Sequence, residues 1–247
     1  MENTRASVIV RQVNKSFGAQ RVLDGIDLEV QAGKTLAMLG RSGTGKSVFL
    51  KLLIGLHAPD SGSIHVCGEE ITKLDIRPLN EVRKRVGFLF QQGALYDSLT
   101  VEQNVEFPLL RHTKLPAGER HDRVVGLLAS VGMEKHRAKM PSEISGGMQK
   151  RVGLARALAL DPEVLLFDEP TAGLDPITAA EIGALIRQLQ EKDGMTAVVV
   201  THDLHGARAF CDRVVVLHEG HIVVEGTFNE LERSRDQFVV RFLRDAA

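Results

Sequence analysis

Residues 35–47 read TLAMLGRSGTGKS, five residues that are apolar but for Thr35 running straight into a glycine-rich turn, a lysine and a serine. The first half shows no polar alternation, which predicts a central parallel strand covered on both faces. The second half, GRSGTGKS at 40–47, fits G-x-x-x-x-G-K-[ST] in the context that motif needs, after a buried strand and at the opening of a helix predicted over 46–56. Gly40, Gly43 and Gly45 let the backbone curl so that successive N–H groups point inward, and the helix N-terminus adds partial positive charge at the same place. The whole loop, with Arg41, Ser42 and Thr44 between the glycines, is a candidate phosphate cradle. Lys46 is placed to reach β and γ phosphates and the Ser47 hydroxyl to hold Mg²⁺.

Outward from this loop, short apolar runs alternate with helical spacing. Buried strands are predicted at 86–90, 164–167, 197–201 and 214–217, and a half-buried strand at 25–30, where Ile26, Leu28 and Val30 alternate with Asp27 and Glu29. The expected fold is α/β, a P-loop architecture with a mostly parallel sheet and an antiparallel β meander. Between 97 and 159 strand signals vanish and Val124, Leu127, Leu128 and Val131 share one helical face, which predicts an inserted helical subdomain. One domain over 1–247 is expected: about 1–96 and 160–227 as the core with its meander, about 97–159 as the helical part, and 228–247 as a C-terminal helical tail. That tail opens with a capping box at Thr227 and Glu230 and carries a stripe of Phe238, Val239, Phe242 and Leu243, for packing on its own domain or on a dimer partner.

Composition narrows the classes. The 247 residues carry 31 Lys and Arg against 32 Asp and Glu, a net charge of −1, so no overall positive field would hold a polyanion, and no nucleic acid partner is expected. No apolar stretch approaches the length of a membrane-spanning helix. The first residues, MENTRASVIVRQVNK, lack the basic and apolar regions of a secretory signal. Cys67 and Cys211 are expected as two buried thiols in a reducing, cytosolic setting.

Two further clusters carry chemistry. Residues 164–169, VLLFDE, end a buried strand in adjacent carboxylates, which leave the strand in different directions. Asp168 is the expected second Mg²⁺ anchor, and Glu169 the carboxylate that polarises an attacking water. Alone, an Asp-Glu pair is a solvated turn; Pro170 and the distant loop at 40–47 make it a site. Ser145, Gly146 and Gly147 open a helix expected to run to about 159, with Ser145 as N-cap and the glycines leaving N–H groups uncovered. One chain thus holds two phosphate-binding helix termini.

The loop at 40–47, the SGG helix, VLLFDE, AGLDP at 172–176 and THD at 201–203 follow one another in an order that resembles the ATPase subunits of ABC transporters, over nearly the whole chain. The resemblance implies an ATP hydrolase using ATP and Mg²⁺, in which two copies meet head to tail and each ATP lies between the P-loop of one and the signature helix of the other. It assigns Ser145 and Gly147 to the γ-phosphate of the opposite subunit and Asp175 to the link between sites. It makes His202 a switch histidine and Gln91 the Q-loop glutamine that contacts Mg²⁺ and water, with Gln92 the neighbouring competitor. Phe17 falls where an aromatic stacks on adenine. Met148 departs from the usual SGGQ and cannot form the amide's hydrogen bonds. SGGM, with GALYDSLTVEQNVEFPL at 93–109, is similar to the ATPases of bacterial Mla or Mce systems for phospholipid transport. That likeness implies integral-membrane permease subunits, an Mce-type lipid-binding protein in the complex, and a cytoplasmic position on the inner face of the cell membrane. Segment 93–109 with Gln91 is the expected permease contact, through Leu95, Tyr96 and Leu99. An ATPase for another solute, or a soluble assembly scaffold of the same family, are the alternatives.

Overall fold

The computed structural model describes residues 6–245, so the extreme ends of the expected 1–247 domain lie outside the described residues. In chain order the strands are β1 (Ala6–Phe17), β2 (Gln20–Gln31), β3 (Thr35–Leu39), β4 (Ser61–Val66), β5 (Glu69–Glu70), β6 (Val86–Leu89), β7 (Val164–Asp168), β8 (Thr196–Thr201), β9 (Arg213–His218) and β10 (His221–Gly226). The helices are α1 (Lys46–Leu53), α2 (Ile76–Lys84), α3 (Val101–His112), α4 (Ala117–Ser130), α5 (Gly146–Ala157), α6 (Pro176–Asp193), α7 (Leu204–Phe210), α8 (Phe228–Glu232) and α9 (Gln237–Asp245).

Six strands form one sheet in the order β10-β9-β3-β8-β7-β6, parallel from β9 to β6, with β10 antiparallel at the edge. The unbroken apolar runs have a direct cause, since alternate residues of each central strand feed two different cores. Ala37, Leu39, Phe167, Val199 and Val216 face a core shared with α3 to α7 and α9. Leu36, Met38, Leu166, Val198 and Val215 face a second core, closed by α1, α2 and a four-stranded antiparallel sheet in the order β2-β1-β4-β5. In that smaller sheet Val8 pairs with Val30 and Val10 with Leu28, so the alternation read at 25–30 belongs to a longer strand.

Several boundaries differ from the expectation. The helix after the P-loop ends at Leu53, because Gly55 turns the chain at a φ of 63°. Helix α5 ends at Ala157. No strand lies between 97 and 159; α3 packs on α4 and α5 there, with Val124, Leu128 and Val131 buried. The capping box at Thr227 and Glu230 forms. The C-terminal stripe packs on its own chain: Val239 and Phe242 are buried, and Phe238 stacks on His218 with ring centroids 3.9 Å apart. Cys211 is buried but Cys67 is only half-buried, which corrects the expectation of two buried thiols; burial still pushes the Cys67 thiol up to about 11.

Candidate nucleotide site at the strand ends

Parallel register brings the distant motifs together. Leu39 pairs with Thr201 and Asp168 with Val200, so β3, β7 and β8 end side by side and release Gly40, Glu169 and His202 at one edge of the sheet, where open α/β sheets bind ligands. Gly45 forms the entry to α1 at a φ of 103°, and a Cβ there would stand 2.8 Å from Val22 Cγ1, so only glycine fits. The result is an open cleft of about 550 Å³ lined by Val22, Ser42, Gly43, Gly45, Lys46, Ser47, Val48, Gln91, Glu169 and His202.

Lys46 is buried, and its Nζ donates to the carbonyls of Gly40 at 2.8 Å and Arg41 at 3.0 Å while standing 3.6 Å from Glu169 Oε1. Burial lowers its pKa, against the pull of the Glu169 carboxylate. Ser47 Oγ donates to Asp168 Oδ1 at 2.8 Å; burial raises the pKa of Asp168, and the serine hydrogen bond opposes this. Glu169 takes a left-handed φ of 49°, unusual for a residue with a side chain. Its Oε2 accepts from Thr201 Oγ1 at 3.1 Å and from the His202 backbone at 3.3 Å, and lies 2.9 Å from His202 Nδ1. Oxygen donors alone, a hydroxyl and a carboxylate already 2.8 Å apart, suit a hard cation such as Mg²⁺ that keeps phosphate and water ligands. Among the described residues no cluster of three or more His, Cys, Asp or Glu could hold a metal by itself.

The other expected residues lie elsewhere. Ser145 is exposed and caps α5 by accepting from the Met148 N–H at 3.3 Å; neither it nor Gly146 and Gly147 line the cleft. At Gly147 a Cβ would stand 2.5 Å from Thr178 Cγ2, so this glycine permits close packing of α5 on α6. Asp175 caps α6, accepting from the N–H groups of Ile177 and Thr178 and from Thr178 Oγ1 at 2.6 Å, a bond that lowers its pKa. Phe17 is 44% exposed, which excludes a core-packing role; it meets His57 edge-on at 5.4 Å and does not line the cleft. Gln92 lines a neighbouring cavity of about 440 Å³ with Gln91, Gly146 and Lys150. Of the expected contact residues, Tyr96 is exposed and packs on Phe107 at 4.8 Å, whereas Leu95 and Leu99 are half-buried, because Leu95 packs on the core under α3 and α5. Tyr96 and Phe107 border a groove of about 440 Å³ with Phe88, Phe90, Pro108 and Arg156.

Sequence reasoning missed Val22, Thr201 and Lys150. Lys150 was open to discovery as a lone charge on the helical face that also holds Gly147 and Leu154. Val22 gave no signal, being an ordinary strand residue whose place depends on neighbouring strands, and Thr201 stood in the THD stretch while its bond to Glu169 depends on strand register.

A phosphate cradle on a parallel sheet with a carboxylate and a histidine at the next strand ends defines a P-loop nucleotide-binding protein. Residues 23–172 match the ABC transporter family, and the chain belongs to that family. It is similar to a probable ribonucleotide transport ATP-binding protein, mkl, of Mycobacterium tuberculosis, 44% identical over 96% of this chain and 66% of the relative. It therefore spans about two thirds of that relative's length. It is also similar to the intermembrane phospholipid transport system ATP-binding protein MlaF of Haemophilus influenzae, 41% identical over 95% of this chain and 89% of the relative. Among solved structures it resembles the ATP-binding cassette MJ0796 in a dimeric post-hydrolysis state bound to ADP and Pi, with TM-score 0.82 and 35% identity over 89% of this chain and 98% of that one. The α/β fold and the family expected from the motifs are thus shown, and a phospholipid-transport ATPase stands among the relatives.

Proposed function

We propose that this chain binds and hydrolyses ATP as a head-to-tail dimer and drives an integral-membrane permease for phospholipid, as the cytoplasmic, membrane-peripheral subunit of the complex. The observation that carries the hydrolytic part is the Glu169 carboxylate, hung on a left-handed backbone, held by Thr201 and His202, and 3.6 Å from the Lys46 ammonium. The N–H groups of 40–47 and Lys46 bind the phosphates, Glu169 orients and polarises the attacking water, and His202 holds Glu169. Ser47, Asp168 and Gln91 are the residues that would hold Mg²⁺, which when bound offsets the charge of the phosphate oxygens. Ser145, Gly146 and Gly147 grip the γ-phosphate of the partner's ATP, and Asp175 stands at the junction of the two sites. Phe17, which does not line the cleft, is the residue for stacking on adenine. The groove between Phe88 and Tyr96 receives the permease, because the exposed Tyr96 ring beside the half-buried Phe88, Phe90 and Phe107, a few residues from Gln91 in the chain, suits a partner tied to the nucleotide state. Among the described residues no helix is long and apolar enough to cross a membrane.

Phospholipid as cargo is supported by the likeness to MlaF; an Mce-type lipid-binding protein would complete such a complex. The likeness to mkl, 44% against 41% for MlaF but over a smaller share of the relative, favours ribonucleotide as the second reading. Glu169→Gln, purified from membranes with ATP and its partners, tests both levels. The expected result is a turnover loss of about 100- to 10,000-fold, a trapped dimer with permease attached, and phospholipid identified in it by mass spectrometry. Turnover near the parent rate removes Glu169 from the mechanism, and bound nucleotide cargo without lipid replaces the substrate. Combining Glu169→Gln with Tyr96→Asp should release the permease while the chain still binds ATP; retention would place docking elsewhere.

A further inference from the structure

Lys150 belongs to α5, whose N-terminus begins at Ser145, yet its ammonium points into the protein. The residue is 5% exposed, and its Nζ donates to the Glu169 carbonyl at 3.1 Å and to the Ala172 carbonyl at 2.7 Å. A buried ammonium is costly unless it is hydrogen-bonded, so its partners indicate what it is kept for. Burial pulls its pKa down to about 8, the Glu169 carboxylate opposing. The turn it grips is the one from which the Glu169 side chain hangs. There the Glu169 N–H donates to the Val200 carbonyl at 2.9 Å, and the Ala172 N–H to the Glu169 carbonyl at 3.2 Å. Glu169 itself has the left-handed φ of 49° that persists only where surroundings enforce it. Lys150 touches that turn at both ends, and none of the roles assigned above uses it.

We propose that Lys150 is a positioning residue for Glu169: its ammonium fixes the backbone of 169–172, and so the place of the Glu169 carboxylate in the cleft, tying the helix that starts at Ser145 to the hydrolytic carboxylate of the same chain. This rests on the role proposed for Glu169. A shift of α5 when Ser145 engages a partner's nucleotide then reaches Glu169 through one side chain.

Lys150→Met keeps the apolar stem and removes the donors. Measured on the full chain with its co-purified membrane partner, kcat should fall about 10- to 100-fold, the scale of a misplaced catalytic group. KM for ATP and the affinity for a fluorescent ATP analogue should stay within about twofold, since the P-loop is untouched. Lys150→Arg, which restores a charged donor, should recover part of kcat with KM unchanged. Unchanged kcat with a lowered melting temperature overturns the proposal, because a residue serving only the fold changes yield and not turnover per folded molecule. Should Lys150→Met not fold, Lys150→Gln is read for the same split, and failure of both to fold overturns it too. Glu169→Gln in parallel separates the failures. Full turnover in that variant removes the underlying reading, whereas an inactive Glu169→Gln beside a fully active Lys150→Met removes the Lys150 role alone.

Discussion

At the ends of β3, β7 and β8 every charged side chain of the cleft has a partner within the chain: Lys46 on two carbonyls, Asp168 on Ser47, Glu169 on Thr201 and His202. At the start of α5 the surroundings differ. Ser145 and Gly146 are exposed, and the Ser145 hydroxyl serves its own helix through the Met148 N–H. Both places are helix N-termini with partial positive charge. One stands beside a carboxylate, a histidine and a lysine and can do chemistry; the other offers only N–H groups and a hydroxyl and can do no more than hold an anion. That asymmetry is the physical support for two copies sharing their sites, each lending α5 to the other.

The comparison breaks most visibly in mixing. Lys46→Ala should weaken ATP binding by the isolated chain by about 10- to 100-fold, the worth of a hydrogen bond to a charged group. Ser145→Arg should leave that binding intact and abolish ATP-dependent dimerisation. Combining the two variants places both lesions in one composite site and leaves the other whole, so light scattering should show dimers returning with ATP. If no dimers return, each site is contained within one chain and the asymmetry has another cause.

A smaller effect sharpens the link between the halves. Lys150 has its folded pKa lowered to about 8, below the ordinary lysine value near 10.4. Between those values the unfolded chain binds a proton that the folded chain has released, so stability rises with pH across that window; below about 8 both states hold the proton and the dependence disappears. The melting temperature of the parent should therefore gain on that of Lys150→Met between about pH 7.5 and 9.5. A difference that stays constant would mean that the ammonium reaches solvent. The smallest effect belongs to the exposed half: Ser145→Ala removes an N-cap and should cost about 1 kcal/mol in unfolding by denaturant. A much larger loss would show that Ser145 supports the fold.

Legibility followed contiguity. The loop at 40–47 lies within eight successive residues, so its cradle could be read without any neighbour. The capping box at Thr227 is similarly local, closed by the Glu230 side chain three residues on. Lys150, by contrast, meets Glu169 across 19 residues and two elements, and its spacing on α5 marks only a buried face. The helix expected over 46–56 stops at Leu53 because Gly55 turns the backbone, although apolar Ile54 and Leu56 continue the helical period. Leu95, expected at the permease contact, is half-buried, because loop position says little about which side chains turn inward.

The amino-acid sequence alone determined the alternation of strands and helices, the phosphate loop, the order of motifs and so the family, since these depend on residue type and spacing along a few turns of chain. Tertiary structure decided which of the motifs share a cleft, that Glu169 leaves its strand in a left-handed conformation against His202, that the C-terminal stripe packs on its own chain, and that Lys150 faces inward. Those facts follow from strand register and helix packing between residues far apart in the chain, where a one-residue slip would send every side chain to the other face.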